Sequence, residues 1–284
     1  MMRRLPLSAA VLAVTMALMG SSCGYLAARD HLNKGVASMK SAKFKDAAEH
    51  FKEAMALDPS WDVPRLYLAT SYMSQWIPGA ESPENIEFAN NARNGFLDVL
   101  KTSPQDKTAL ASLASMAFSE ATTGVLTPEE KIKKLDESAD WHKKHIAVEP
   151  TAEHYYSLAV IDFTKWVPDW LAARSAAKMR QDEPGPLKDP KARAALKEKD
   201  GAMVDESIGY LRKALELDPE YENAMAYLNL MLRQPADYLD SKEEYEKNIA
   251  EADQWLQKYL DTKKIKAERE AKKAAGGIQQ DSKK

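Results

Sequence analysis

Four stretches of the chain share one ending. "AMALDPSW" from Ala54, "VLKTSPQD" from Val99, "IAVEPTAE" from Ile146 and "ALELDPEY" from Ala214 each close an apolar stripe with a proline. Ala47, Phe51 and Ala54 recur at steps of four and three, as do Ser207, Leu211 and Ala214. That spacing puts side chains on one face of a helix. The prolines Pro59, Pro104, Pro150 and Pro219 then stop it, since proline lacks the amide hydrogen that a helix interior needs. A second stripe precedes each of these helices, as in "LYLATSYM" with Leu68, Ala69 and Tyr72. The prolines stand 45, 46 and 69 residues apart, so the pattern predicts an internal repeat of two helices per unit, with units of unequal length.

The extra length carries helix-start chemistry. "SPEN" at Ser82, "TPEE" at Thr127 and "SKEE" at Ser241 place Ser or Thr before the first turn and acids within it. Thr127 with Glu130, and Ser241 with Glu244, read as capping boxes. These signals predict second helices lengthened at their N-termini, with the surplus between the two helices of each unit. The largest insert, "DEPGPLKDPKARAALKEKDGAM", predicts a Pro/Gly turn around Pro184 to Pro186 and a charged helix from about Asp189, with Gly201 as a point of interruption.

Gly35, Ala47, Phe51, Ala54 and Pro59 form a unit of tetratricopeptide length over about residues 28–61. A small residue, then Ala-x3-Phe, then Pro resembles the tetratricopeptide-repeat (TPR) signature. The later units resemble it with insertions, at about 62–106, 107–151, 152–221 and 222–260. The resemblance implies an all-α fold, an α-solenoid of about five TPR-like helical hairpins with lengthened second helices. It also implies that the first helices present a groove for a protein or peptide. Carried onto this chain, the groove positions are Leu32, Val36, Met39, Leu66, Thr70, Met73, Ala111, Ser115, Phe118, Tyr156, Val160, Phe163, Ala226, Leu230 and Arg233. Family members that clamp a C-terminal carboxylate use lysine and asparagine at such places. Neither occurs in this set, which favours an apolar partner.

"SQWIPG" and "TKWVPDW" fall at matching positions, just after the first helix of the second and fourth units. Trp76, Trp166 and Trp170 are therefore candidate anchors on an aromatic rim; the competing expectation is that each packs under its own lengthened second helix. His142, His145 and His154 are the candidates for an alternative reading, an envelope enzyme or metal-binding protein. Only "WHKKH" pairs two histidines at helical spacing, no acid stands at recognisable ligand spacing, and no phosphate loop, nucleophile elbow or HExxH occurs. The expectation is a non-enzyme without a metal or cofactor.

A formal charge of -3 gives no field for holding nucleic acid. The single cysteine, Cys23, excludes an intrachain disulfide. Its surroundings matter more: Arg3 and Arg4 precede "LPLSAAVLAVTMALMG", and "SSCGY" follows. This resembles a bacterial lipoprotein signal, with Gly20 where the family usually has a large aliphatic residue. It implies a leader over 1–22, an acylated Cys23, a tether over 23–27 and a body anchored in the cell envelope, at the outer membrane facing the periplasm. The charge-rich segment 261–284 is predicted as a helix that frays into a solvated C-terminal tail.

Overall fold

The computed structural model describes the backbone of residues 7–281 and the side chains of 24–273. Residues 1–6 and the side chains of the predicted leader and of Cys23 lie outside those residues. The described part is helical throughout, in the order α1 (Leu7–Lys40), α2 (Phe44–Leu57), α3 (Val63–Gln75), α4 (Pro83–Thr102), α5 (Lys107–Thr123), α6 (Pro128–Val148), α7 (Ala152–Ala176), α8 (Pro190–Leu217), α9 (Glu222–Arg233), a short 3-10 helix (Pro235–Tyr238) and α10 (Lys242–Asp281). Consecutive helices pair as hairpins, α1 with α2, α3 with α4, α7 with α8 and α9 with α10. The second helices of the later pairs run 20, 28 and 40 residues, against 14 in α2, and α6 runs 21. Among the described residues no helix is long and apolar enough to cross a membrane. Two compact units form, Met1–Lys134 and Leu135–Lys284.

Close helix approach organises the first unit. A Cβ on Gly35 of α1 would stand 2.4 Å from the Phe51 ring of α2, so the aromatic ring occupies the space that the missing side chain leaves. Gly95 of α4 plays the same part against Ala69 of α3, at 2.8 Å. Ala47, Ala54, Ala92 and Phe96 are fully buried, which is the register that the repeat spacing predicts. Caps fix the starts. Ser82 accepts from the Asn85 amide at 3.2 Å, and Thr127 and Glu130 bond reciprocally at 2.9 and 3.2 Å, a complete capping box.

The second unit holds a larger core of Trp166, Leu187, Val204, Leu211, Ala214, Leu228 and Met231, closed by Tyr238 of the 3-10 helix. Buried polar groups tie its helices together. Asn229 donates to the Ala252 carbonyl at 2.6 Å, linking α9 to α10.

Four expectations change. The surplus of the fourth hairpin is not confined to the connection, because α7 itself is 25 residues long and runs through Trp166-Val167-Pro168. Pro168 sits on an exposed face while Trp166 and Trp170 pack inward, so core burial outweighs the lost helix bond. Gly201 does not interrupt α8: it is buried, and an added Cβ would meet only the Lys197 side chain, at 3.3 Å. Residues 24–27 continue α1 instead of forming a tether. Beyond residue 260, α10 remains helical to Asp281, and its basic side chains return to the α8–α9 junction, where Lys266 pairs with Glu222 at 2.8 Å and Arg269 with Glu220 at 2.7 Å.

Candidate functional site

Every predicted groove position is at least partly accessible to solvent. In the first unit these are Leu32, Val36 and Met39 on α1, Leu66, Thr70 and Met73 on α3, and Ala111, Ser115 and Phe118 on α5. Their helical neighbours Gly35, Ala69, Ser71, Leu113, Ala114, Met116 and Ala117 are buried. The helices are therefore turned so that the core takes one stripe and leaves the next one open.

In the second unit that open stripe is aromatic. Tyr156, Val160 and Phe163 recur at helical spacing along α7, and Ala226, Leu230 and Arg233 do so along α9. Tyr227 joins the two helices. Its ring meets Tyr156 edge-on at 5.3 Å and Phe163 at 5.1 Å, and Tyr221 closes on Tyr156 at 5.2 Å. Edge-to-face packing holds these rings rigid while each stays partly exposed. Burial pushes the Tyr156 hydroxyl up from the usual phenol range, with Tyr227 and Tyr221 adding to the effect, so it stays a neutral hydrogen-bonding group.

Beside this stripe lies a cavity of about 340 Å3, bordered by α7, the 181–185 segment, α9, the 3-10 helix and α10. Trp170, Leu230 and Arg233, all predicted site residues, line it together with Gln234, Asp237 and Tyr245. Its framework is rigid. Asp237 accepts from Trp170 Nε1 at 2.7 Å and from Arg174 Nη1 at 2.5 Å, and Arg174 also donates to the carbonyls of Arg180 and Glu183. The Gly185 amide donates to the Tyr245 hydroxyl at 2.9 Å. Arg233 pairs with Asp253, which leaves its charge balanced at the rim.

The tryptophans do not form a shared rim. Trp166 is completely buried and donates to Gln234 Oε1 at 3.0 Å, and Trp170 is only 7% exposed. Both belong to the core, and Trp170 also to the cavity wall, because α7 continues past them and the 3-10 helix covers them. Trp76 is half-buried at the C-terminus of α3, where Asn85 holds the following turn by bonds to the Ile77 amide and carbonyl at 2.7 and 2.8 Å. The two Trp-aliphatic-Pro segments thus have unrelated local structures.

His142, His145 and His154 do come together, but as a packed cluster. His142 and His154 share one hydrogen bond between their Nδ1 atoms at 2.9 Å, and the rings of His145 and His154 lie 3.6 Å apart, tilted by 34°. Burial lowers His142 to about 4, with the neighbouring imidazoles adding to the effect, and lowers His154 as well. Among the described residues, the three side chains whose ligand atoms converge are instead His31, His50 and Glu53.

Sequence reasoning missed Tyr227, Asp237 and Arg174. Tyr227 stands one helical turn before Leu230 and was legible as part of the same stripe. The Arg174–Asp237 pair spans 63 residues, and no periodic signal encodes it.

No family model matches the chain, and no curated protein matches it. Solved structures do. The crystal structure of MamA protein aligns with a TM-score of 0.52 at 16% identity, over 85% of this chain and 94% of that one. MamA 41-end from Desulfovibrio magneticus RS-1 aligns at 0.50 with 15% identity, over 84% and 96%. TTC0263, a thermophilic TPR protein in Thermus thermophilus, gives a looser match of 0.40 at 17% identity, over 72% and 99%, which carries no weight here. The fold class is all-α, an α-solenoid of TPR-like hairpins.

Proposed function

We propose that this protein is a binding scaffold that holds a protein or peptide partner on the first-helix faces of its hairpins, with the strongest contacts in the second unit. One observation carries the reading. The predicted groove positions are all partly accessible, and in the second unit they form a preformed aromatic surface of Tyr156, Phe163 and Tyr227 beside a lined cavity. Rigid aromatic rings give large contact area at little entropic cost, the composition typical of interface hot spots. Apolar segments, extended or helical, suit such a surface, with Leu230 and Arg233 supplying an apolar wall and a paired charge at its edge.

We place the scaffold at the cell envelope, exported by the 1–22 leader and anchored through acylated Cys23, on the outer membrane facing the periplasm. There it would serve the assembly of an envelope complex. The support is the leader pattern and its lone cysteine.

Affinity capture from detergent-solubilised envelope tests the reading. The doubly substituted Tyr156→Ala, Phe163→Ala protein is compared with the wild type, and folding is checked by circular dichroism. A hot-spot surface loses about 2 kcal/mol or more, roughly thirtyfold in affinity, while the helical signal stays unchanged. Equal recovery of the same partner by a folded double variant refutes the assignment of this face.

A further inference from the structure

The first hairpin carries a donor set that the scaffold role does not use. His50 and Glu53 lie three residues apart on α2 and so share one helix face. His31 of α1 meets them from across the hairpin. Glu53 Oε2 stands 2.5 Å from His31 Nδ1 and 3.4 Å from His50 Nδ1, and one ligand atom from each of the three residues lies within 4.8 Å of the others. The two imidazole nitrogens are shielded from solvent, yet neither has a hydrogen-bond partner. A contact within ion-pair reach but without hydrogen-bond alignment leaves each nitrogen's bonding capacity unsatisfied. The Glu53 side chain is more than half exposed, so it can move to adjust the site.

We propose that His31, His50 and Glu53 bind a divalent transition cation of the Zn2+ class, clamping α1 to α2. Two imidazoles and one carboxylate are a donor set that suits zinc, copper or nickel and disfavours magnesium or calcium, which take oxygen ligands. Zn2+ holds nitrogen and oxygen at about 2.0 to 2.2 Å, so tetrahedral ligand atoms stand about 3.4 Å apart. His50 Nδ1 and Glu53 Oε2 already have that separation, and the His31–Glu53 contact needs to open by roughly 1 Å, within reach of a Glu side-chain rotation. Water or a small ligand completes the fourth position. The adjacent Asp30 adds negative charge at the edge, although Lys34 pairs with it at 2.7 Å and offsets it. The site depends on neither the aromatic face nor the cavity.

The test uses the full-length protein, stripped with chelator and titrated with ZnCl2 in competition with a chromophoric chelator. The expected result is one equivalent bound with a dissociation constant in the micromolar range, unaffected by millimolar Mg2+ or Ca2+. His31→Gln and His50→Gln should each weaken binding at least tenfold, and the zinc-dependent rise in thermal midpoint should vanish in both. His145→Gln, in the other histidine cluster, should bind as the wild type does. The absence of saturable one-equivalent binding overturns the proposal. So does zinc affinity that survives in folded His31→Gln and His50→Gln proteins, or that is lost in His145→Gln.

Discussion

Replacing Asp162 by Asn should make the protein more stable than wild type at pH 8, by an amount that disappears on acidification. Asp162 lies on the inner side of α7, only 9% exposed, and its Oδ2 has no hydrogen-bond partner. Burial is the first cause that pushes its carboxyl up to about 7 from an ordinary 3.8, and Glu206 and Asp136 push the same way. Lys165 and Lys143 pull it down, but Lys165 is already engaged by Asp136 at 2.5 Å. An acid whose folded pKa is raised binds more protons folded than unfolded. Its stabilising contribution is fully present below pH 3.8 and is lost as pH rises toward 7. That window of about 3 pH units corresponds to roughly 4 kcal/mol, an upper figure because the surroundings relax around the charge. His142 has the opposite sign. Its folded pKa is lowered to about 4 from 6.5, so its contribution is lost as pH falls through that range, by up to about 3 kcal/mol. Between pH 4 and 6.5 the two slopes oppose each other in the wild type, and the Asn variant should lose the Asp162 slope while keeping that of His142, to which His154, lowered in the same direction, adds.

Urea unfolding at pH 4, 5, 6, 7 and 8, followed by tryptophan fluorescence, reads this directly. Trp141, Trp166, Trp170 and Trp255, four of the six tryptophans, report on the second unit, which contains both groups. The stability difference between variant and wild type should grow by about 2 to 4 kcal/mol from pH 4 to pH 8, whatever offset the new amide introduces. A difference that is flat across that range would refute the reasoning, since it would mean that the carboxyl titrates as it does in the unfolded chain.

Two further outcomes are expected. Gly35→Ala drives a methyl into the Phe51 ring at 2.4 Å and should cost roughly 1 to 3 kcal/mol by thermal unfolding, whereas the same change at Gly209, where an added Cβ meets nothing within 4 Å, should cost none of this. Cys23→Ser should release the protein from the membrane fraction and abolish acyl labelling; membrane retention without labelling in the unsubstituted protein would rule out a lipid anchor at this residue.

The sequence by itself determined most helix starts and the pairing of α1 with α2, α3 with α4, α7 with α8 and α9 with α10. Those features are local. A cap needs three residues, a stripe needs steps of three and four, and a TPR-like hairpin needs a small residue opposite a large one, as with Gly35 and Phe51. The same periodicity located the faces that remain open, because a helix with one buried stripe must turn another outward. It did not determine what sits behind those faces. Trp166 and Trp76 share a tripeptide pattern, yet one is core and the other half-buried, because a 3-10 helix about 70 residues downstream covers only the first. The cavity framework depends on Trp170 and Arg174 meeting Asp237 across 67 and 63 residues. The zinc-type donor set depends on α1 and α2 crossing at one height, which sets His31 opposite His50 and Glu53 instead of a turn away. Such meetings are fixed by how whole helices pack, and spacing along one helix carries no record of the residue that faces it from another.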